Sequence, residues 1–499
     1  GPRRPGAPAP PPPAPRGGAR GGRGVRRALR VVCVGGLAGA AVLVWWPQPR
    51  SAAPAAPAHG PGARAVSAVE GGAPATTTEL TALVVERERH LRAHPGDHAS
   101  WALLGTAYVE RGRRTGDSAD LPRAERALNA SLAARPEGNA GASTGLARLA
   151  AARGDHPAAR AWAQRAVRLA PRRWQGYPPL IEAHRGLGDF AAAGTALDSL
   201  RELRVPAAVT RTVTGALYRE RGWREDAAAN LTDAVAAART PAEEARARHL
   251  LGGVAADRGE AETALGHFDA ALRADPGLHE ALAGRGRALA ALGRDTEAVH
   301  ALRTASARRP VPEYALELGE LHEAAGAADA ARAQYRLARE RLRARAAHGV
   351  RDVLVRARLA ADHGDAAERE AVAEELAAEA GRAPRPAVSD ARGWVLFRQG
   401  DAEGALEWVR EAQDRGPRVP LVAYHRGEIE RELGRTARAR RHLADALRWN
   451  PGFSPLFAPR ARTALAGLGS PAPGGPARTH GPAEPLTSPS PSPSPSRTA

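Results

Sequence analysis

Residues 251–276 read LGGVAADRGEAETALGHFDAALRADP, and this stretch decides the fold. Leu251, Gly252 and Ala255 keep helical spacing up to Arg258-Gly259, where glycine can close a helix in the left-handed region. Ala264, Phe268 and Ala271 then mark one face of a second helix, which runs to Asp275-Pro276. Proline ends it, because it lacks the backbone N–H and its ring does not fit inside a helix. The small alanines let the two helices of such a hairpin approach closely.

The hairpin recurs. Pro136, Pro171, Pro206, Pro241 and Pro276 are spaced by 35 residues, Pro310 follows after 34, and Pro417 and Pro451 are again 34 apart. The interval from Pro310 to Pro417 holds three more units with prolines lost or displaced. A fixed period of this length is the signature of a solenoid. About ten units run from His98 to Pro451, with boundaries blurred over 209–241 and 345–385.

Trp101, Leu104, Gly105 and Tyr108, followed by Ala124, Leu128 and Pro136, carry the resemblance to a known family. The sequence resembles tetratricopeptide repeats, with an insertion around Arg113–Leu121 between the helices of the first unit. Later units match through Leu282, Gly286, Gly293, Ala298, Ala305 and Pro310, and through Gly427, Gly434, Ala439, Ala446 and Pro451. The resemblance implies an all-α fold, a right-handed α-solenoid of about ten helical hairpins over residues 98–453. Residues 79–97 are expected to form an N-terminal capping helix and 454–469 a C-terminal one, where Leu456, Phe457, Leu465 and Leu468 cover the last hairpin.

Composition fits helices and excludes several chemistries. Hydrophobic residues make up 43% of the 499 residues but aromatics only 4%, and the bulk is Ala and Leu, with Ile only at positions 181 and 429. All 72 basic residues are Arg, so a phosphate-binding loop with its lysine, a Schiff-base lysine and a Ser-x-x-Lys nucleophile are excluded. This Arg-for-Lys usage, with abundant Gly and Pro, points to a GC-rich, actinobacterial type of genome. The single Cys33 lies in an apolar run, so no intrachain disulfide or thiolate zinc cluster is expected.

The formal charge of +18 is partly concentrated in residues 1–30, which hold eight Arg and no acid. Elsewhere Arg alternates with Glu and Asp along helices, which reads as a solvated, ion-paired face and not as a nucleic-acid stripe. Residues 1–27 are expected to be a disordered cytoplasmic tail. Residues 28–46 follow as a transmembrane signal anchor, with sixteen uncharged residues from Val31 to Trp46. Such a helix is about 24 Å long, extended by Ala28, Leu29 and a snorkelling Arg30. The preceding arginines place the N-terminus in the cytoplasm and the array outside. Gly35-x-x-x-Gly39 is spaced as in close-packed helix dimers. Residues 47–78 read as a flexible linker and 470–499, rich in Pro and Ser, as a disordered tail.

Three local patterns touch on chemistry. Gly141-Ala-Ser143-Thr-Gly145 matches Gly-x-Ser-x-Gly, but it falls in a helical pattern, where a nucleophile elbow cannot form. His90, His94 and His98 are four apart, but Pro95 interrupts the helix between them. Carboxylate pairs such as Glu374-Glu375 lie on charged faces. No catalytic residue, cofactor or metal is expected, and the chain reads as a non-enzyme.

In this family the first helix of each unit lines the concave surface. The resemblance therefore implies a partner-binding groove at Trp394, Phe397, Arg398, Tyr424, Glu428 and Arg431, the densest set of aromatic and Arg residues. A second, acidic strip comprises Glu313, Glu320 and Glu323. The expected role is a membrane-tethered protein–protein interaction scaffold or assembly factor, binding a protein or peptide, with no nucleic-acid or small-molecule partner. The alternatives are a secreted binding protein, freed by cleavage near Ala58, and an accessory subunit of an envelope enzyme or transport system.

Overall fold

The computed structural model of the chain describes residues 61–70 and 74–469. The expected tails 1–27 and 470–499 and the expected anchor 28–46 lie outside the described residues. Among the described residues no helix is long and apolar enough to cross a membrane. They form twenty-three α-helices, one 3-10 turn at Trp174–Gly176 and no strand.

Ten consecutive hairpins make up the array. They are α3(His98–Thr115) with α4(Asp120–Ala134), α5(Ala140–Ala152) with α6(His156–Leu169), and α7(Tyr177–Gly186) with α8(Phe190–Arg201). Next come α9(Ala207–Glu220) with α10(Arg224–Ala237), α11(Pro241–Asp257) with α12(Ala261–Ala274), and α13(His279–Ala291) with α14(Asp295–Arg308). The array finishes with α15(Pro312–Ala324) and α16(Ala328–Ala347), α17(Val353–His363) and α18(Ala366–Arg382), α19(Pro386–Arg398) and α20(Ala402–Arg415), and α21(Pro420–Glu432) and α22(Thr436–Trp449). The interval after Pro310 thus holds three hairpins. Regular helices also fill 209–241 and 345–385, where the sequence pattern blurs.

The ends differ in part from expectation. A helix α1(Pro61–Glu70) stands within the stretch read as linker, and it packs on α2(Thr77–Ala93). Thr76 caps α2 with a reciprocal box: its hydroxyl accepts from the Glu79 N–H, and the Glu79 carboxylate accepts from the Thr76 N–H at 2.9 Å. At the other end α23(Phe457–Gly467) covers the last hairpin, with Phe457 buried in the shared core.

The local code of a hairpin is visible at Arg153-Gly154-Asp155. Gly154 has φ +73°, and the Asp155 N–H closes back on the Ala150 carbonyl at 2.9 Å. The Asp155 side chain then caps α6 by accepting from the Ala158 N–H. Within hairpins, glycine permits contact that a side chain would prevent. A Cβ on Gly105 would lie 2.5 Å from Cγ of Leu128, and one on Gly427 would lie 2.7 Å from Cγ of Leu443.

The array coils back on itself. The turns of the first five hairpins rest on the inter-repeat loops of the last five. Arg309 Nε donates to the Arg113 carbonyl at 3.1 Å, Arg224 Nη2 to the Arg418 carbonyl at 2.7 Å, and Asn450 Nδ2 to the Ala256 carbonyl at 2.9 Å. These partners are 194–196 residues apart, so one superhelical turn takes between five and six repeats. Ser118 with His348 (2.9 Å) and Arg382 with Asp155 (3.3 Å) extend the seam, as does a buried ion pair between Arg114 and Asp275.

Candidate functional site

Closure of the coil turns the concave face into an axial channel. Three cavities of about 580, 360 and 610 Å³ lie along it, and Arg185 lines all three. Their walls come mainly from the first helices of the repeats, because the second helices take the outer layer.

Ion pairs cross the channel wall from one repeat to the next. Arg148 meets Glu110 at 3.3 Å, Arg185 meets Glu220 at 3.0 Å, and Arg219 holds Asp257 in a two-pronged contact at 2.6 and 3.0 Å. Arg287 holds Glu317 in the same way at 3.0 and 2.9 Å, and Arg358 pairs with Glu320. Their partners lie 30–38 residues apart, so equivalent positions of successive units generate the ladder. Arg113 approaches Glu182 at 3.7 Å, and Arg309 approaches Glu280 at 3.4 Å.

The electrostatics are uneven along this ladder. Burial raises the Glu182 carboxyl, but Arg113, Arg185, Arg246 and Arg148 together hold it below its ordinary value. Glu320, only 1% exposed, is pushed up to about 7 by burial; Arg358 opposes the shift, and the Asp362 and Glu317 charges reinforce it. Desolvation between the cavity walls lowers the Arg246 guanidinium, although its side chain stays solvent-accessible, and the nearby Arg113 charge lowers it further. The 360 Å³ cavity, the upper chamber, carries more cationic than anionic groups: Arg113, Arg114, Arg148, Arg185, Arg246 and Arg309 against Glu110, Glu182, Glu243 and Glu280.

The chamber between the third repeat and the last three is more apolar. Phe190, Leu354, Ala357, Leu421, Val422 and Phe457 form its walls. Here the expected groove residues can be placed. Trp394 and Tyr424 are each 4% exposed and belong to the core shared by α17, α19, α21 and α23. Trp394 stacks on His425 with ring centroids 4.0 Å apart, and its Nε1–H donates to Asp362 at 3.0 Å. Tyr424 packs on Phe457 at 5.3 Å, and half-buried Phe397 packs on Trp394 at 5.2 Å. The aromatic rings therefore join helices, and Trp394 contributes little exposed surface to the chamber it lines. Arg398 and Arg431 remain exposed; Arg398 donates to the Ala361 carbonyl at 3.1 Å, and Arg431 pairs with half-buried Glu428 at 2.9 Å.

The acidic strip is also dispersed. Glu320 is buried against Arg358, Glu323 accepts from the Tyr335 hydroxyl at 2.7 Å and pairs with Arg460 at 2.9 Å, and burial raises the Glu313 carboxyl. Ser143 lies inside α5 with its hydroxyl donating to the Asn139 carbonyl at 2.9 Å, so Gly141–Gly145 forms no nucleophile elbow. His90 stacks on His94 at 4.4 Å and meets Asp97 at 3.0 Å. Among the described residues no cluster of His, Cys, Asp and Glu is arranged to hold a metal. The ladder is not among the sequence expectations, although its Arg and acidic partners recur at about one repeat length.

The family profile described as Tetratricopeptide repeat matches residues 109–173 and 214–279. A curated relative is the "Tetratricopeptide repeat and J domain-containing co-chaperone DNJ1" of Fusarium oxysporum f. sp. lycopersici, 32% identical over 191 residues. The match covers 36% of each chain, so this chain spans about a third of that relative's length. Among solved structures, the APC/C hetero-tetramer Cut9-Hcn1 is 15% identical, with 81% of this chain and 68% of that one covered at a TM-score of 0.46. The human IFIT1 dimer with PPP-AAAA is 18% identical, with 64% and 72% covered at 0.43. A thermophilic TPR protein of Thermus thermophilus, TTC0263, is 23% identical, with 37% and 98% covered at 0.33. The profile matches and the recurring hairpins agree on a solenoid of tetratricopeptide-like repeats, all-helical among the described residues.

Proposed function

We propose that the chain is a membrane-tethered interaction scaffold that holds an extended segment of a partner protein in its axial channel. The observation that carries this reading is that three cavities share Arg185 in their walls, behind a seam of bonds between the coils. The rungs offer paired charges to a backbone or polar side chains, and the chamber between the third repeat and the last three offers apolar surface to an anchoring side chain. The chemistry proposed is binding and not turnover: most charged groups of the ladder are engaged in ion pairs between repeats, and Arg246 is left to meet a partner.

The tether rests on the sequence. Eight arginines precede sixteen uncharged residues ending in Trp45-Trp46, which favours an anchor with the N-terminus in the cytoplasm and the array outside. A cleaved, secreted form is the second reading, favoured by Ala56-Pro-Ala58.

Capture from detergent-solubilised membranes tests the scaffold role, with full-length protein and an Arg246→Glu variant. Arg246 is exposed to the upper chamber, so the variant is expected to fold. A stoichiometric partner retained by the parent and lost by the variant is the expected result. Equal retention by both proteins would place the binding surface outside the channel.

A further inference from the structure

The last two repeats carry a charged cluster that lines none of the channel cavities. At its centre is Glu430, fully buried in α21. Three guanidinium groups converge on its carboxylate: Arg410 Nη2 at 3.6 Å, Arg426 Nε at 3.8 Å and Arg435 Nη1 at 3.4 Å. All three therefore face one another across a single carboxylate. A single negative charge cannot neutralise three cations, and Asp414 offsets Arg426 only in part. Geometry leaves the contact incomplete as well, since Glu430 Oε1 and Arg426 Nε lack hydrogen-bond partners.

Two further cations extend the cluster along α22. Arg438 and Arg441 are exposed, and among the described residues neither side chain makes an ion pair or hydrogen bond. Helix α22 begins beside them without a side-chain cap or an acidic residue in its first turn, so no acid offsets the positive end of its dipole. Buried His442 reports the same field: burial first, then Arg426, Arg441 and Arg410, hold its ring down to about 4 against the opposing pull of Asp445. Asp445 itself pairs with Arg448 at 2.7 Å.

The geometry points to an oxyanion-binding site on the Arg435–Arg441 segment of α22, completed by Arg410 and Arg426 and suited to a phosphate group, free or borne by an anionic lipid. Planar guanidinium forks suit the several oxygens of a phosphate, and such charge-assisted bonds are the strong class of hydrogen bond. The buried Glu430 then acts as a positioning residue that gathers the arginines before the anion arrives.

The test compares the full chain with an Arg438→Gln/Arg441→Gln double variant, both in neutral detergent. Inorganic phosphate is titrated by calorimetry against potassium chloride of matched ionic strength. Flotation with phosphatidylglycerol and phosphatidylcholine vesicles forms the second arm. The expected result is saturable binding of phosphate, phosphatidylglycerol or both, at least fivefold weaker in the variant. Its thermal midpoint without phosphate should be unchanged, because both side chains are exposed and unpaired. Loss confined to the vesicle arm assigns the oxyanion to a lipid headgroup; loss in the phosphate arm assigns it to free phosphate. Indistinguishable behaviour of the two proteins in both arms, or equal effects of phosphate and chloride, would overturn the site.

Discussion

Arg351 donates its backbone N–H to the carbonyl oxygen of Arg153 at 2.8 Å, joining the turn of the second repeat to the loop before the eighth. This bond is made between successive coils of one chain. It lies in the seam that converts an open groove into a channel, and two glycines, one in the seam and one outside it, make the seam testable.

Gly154 and Gly434 have similar left-handed conformations, with φ of +73° and +69°. A Cβ on Gly154 would lie 2.9 Å from the Arg351 carbonyl oxygen, whereas one on Gly434 meets nothing within 4 Å. Alanine at either site costs about 1 kcal/mol for the left-handed backbone, but only Gly154→Ala also collides with the next coil. Urea unfolding should therefore show a larger loss for Gly154→Ala than for Gly434→Ala. Small-angle scattering should show expansion of the first variant alone.

The Arg114–Asp275 pair crosses the same seam with both side chains below 10% exposed. Removing one partner leaves a buried charge uncompensated, at a cost of about 3 kcal/mol. Asp275→Ala should lower the thermal midpoint sharply, and Arg114→Met/Asp275→Leu should recover most of the loss. Equal midpoints for the single variant and the parent would show that the seam is open in solution.

Glu320 gives a pH signature. Its carboxyl is raised from 4.5 to about 7, chiefly by burial, so the folded chain holds a proton that the unfolded chain releases. This favours the fold fully below about pH 4.5, and the contribution is lost as pH rises through about 7. The stability of the parent relative to Glu320→Gln should consequently fall between about pH 5 and 8. Chemical denaturation of both proteins across that range checks the slope; parallel curves would contradict it.

Trp394 is a core residue, so Trp394→Ala should cost about 3–5 kcal/mol, read as a lower thermal midpoint by circular dichroism. Arg398→Ala and Arg431→Ala, at exposed positions, should leave the midpoint close to the parent's. A folded, unshifted Trp394→Ala protein would contradict the packing between α19 and α21.

These residues show what the sequence could and could not convey. The proline spacing and the Gly turns make each hairpin legible, because they act within a few residues of their effect. Trp394 and Tyr424 mislead because binding hot spots and inter-repeat cores draw on the same aromatic residues, and only burial separates them. The ladder is in principle readable, as with Arg148 and Glu110 one repeat apart. Contacts such as Arg351 with Arg153 leave no local signal, since they depend on the accumulated twist of more than five repeats.

Photocrosslinking tests the channel claim most directly. A photoreactive residue at Leu250, which lines the upper chamber, is compared with one at Arg332, on the exposed face of α16. The Leu250 probe is expected to crosslink a partner polypeptide in membranes, and the Arg332 probe is not. Crosslinks from Arg332 alone would contradict the channel claim and move recognition to the outer surface.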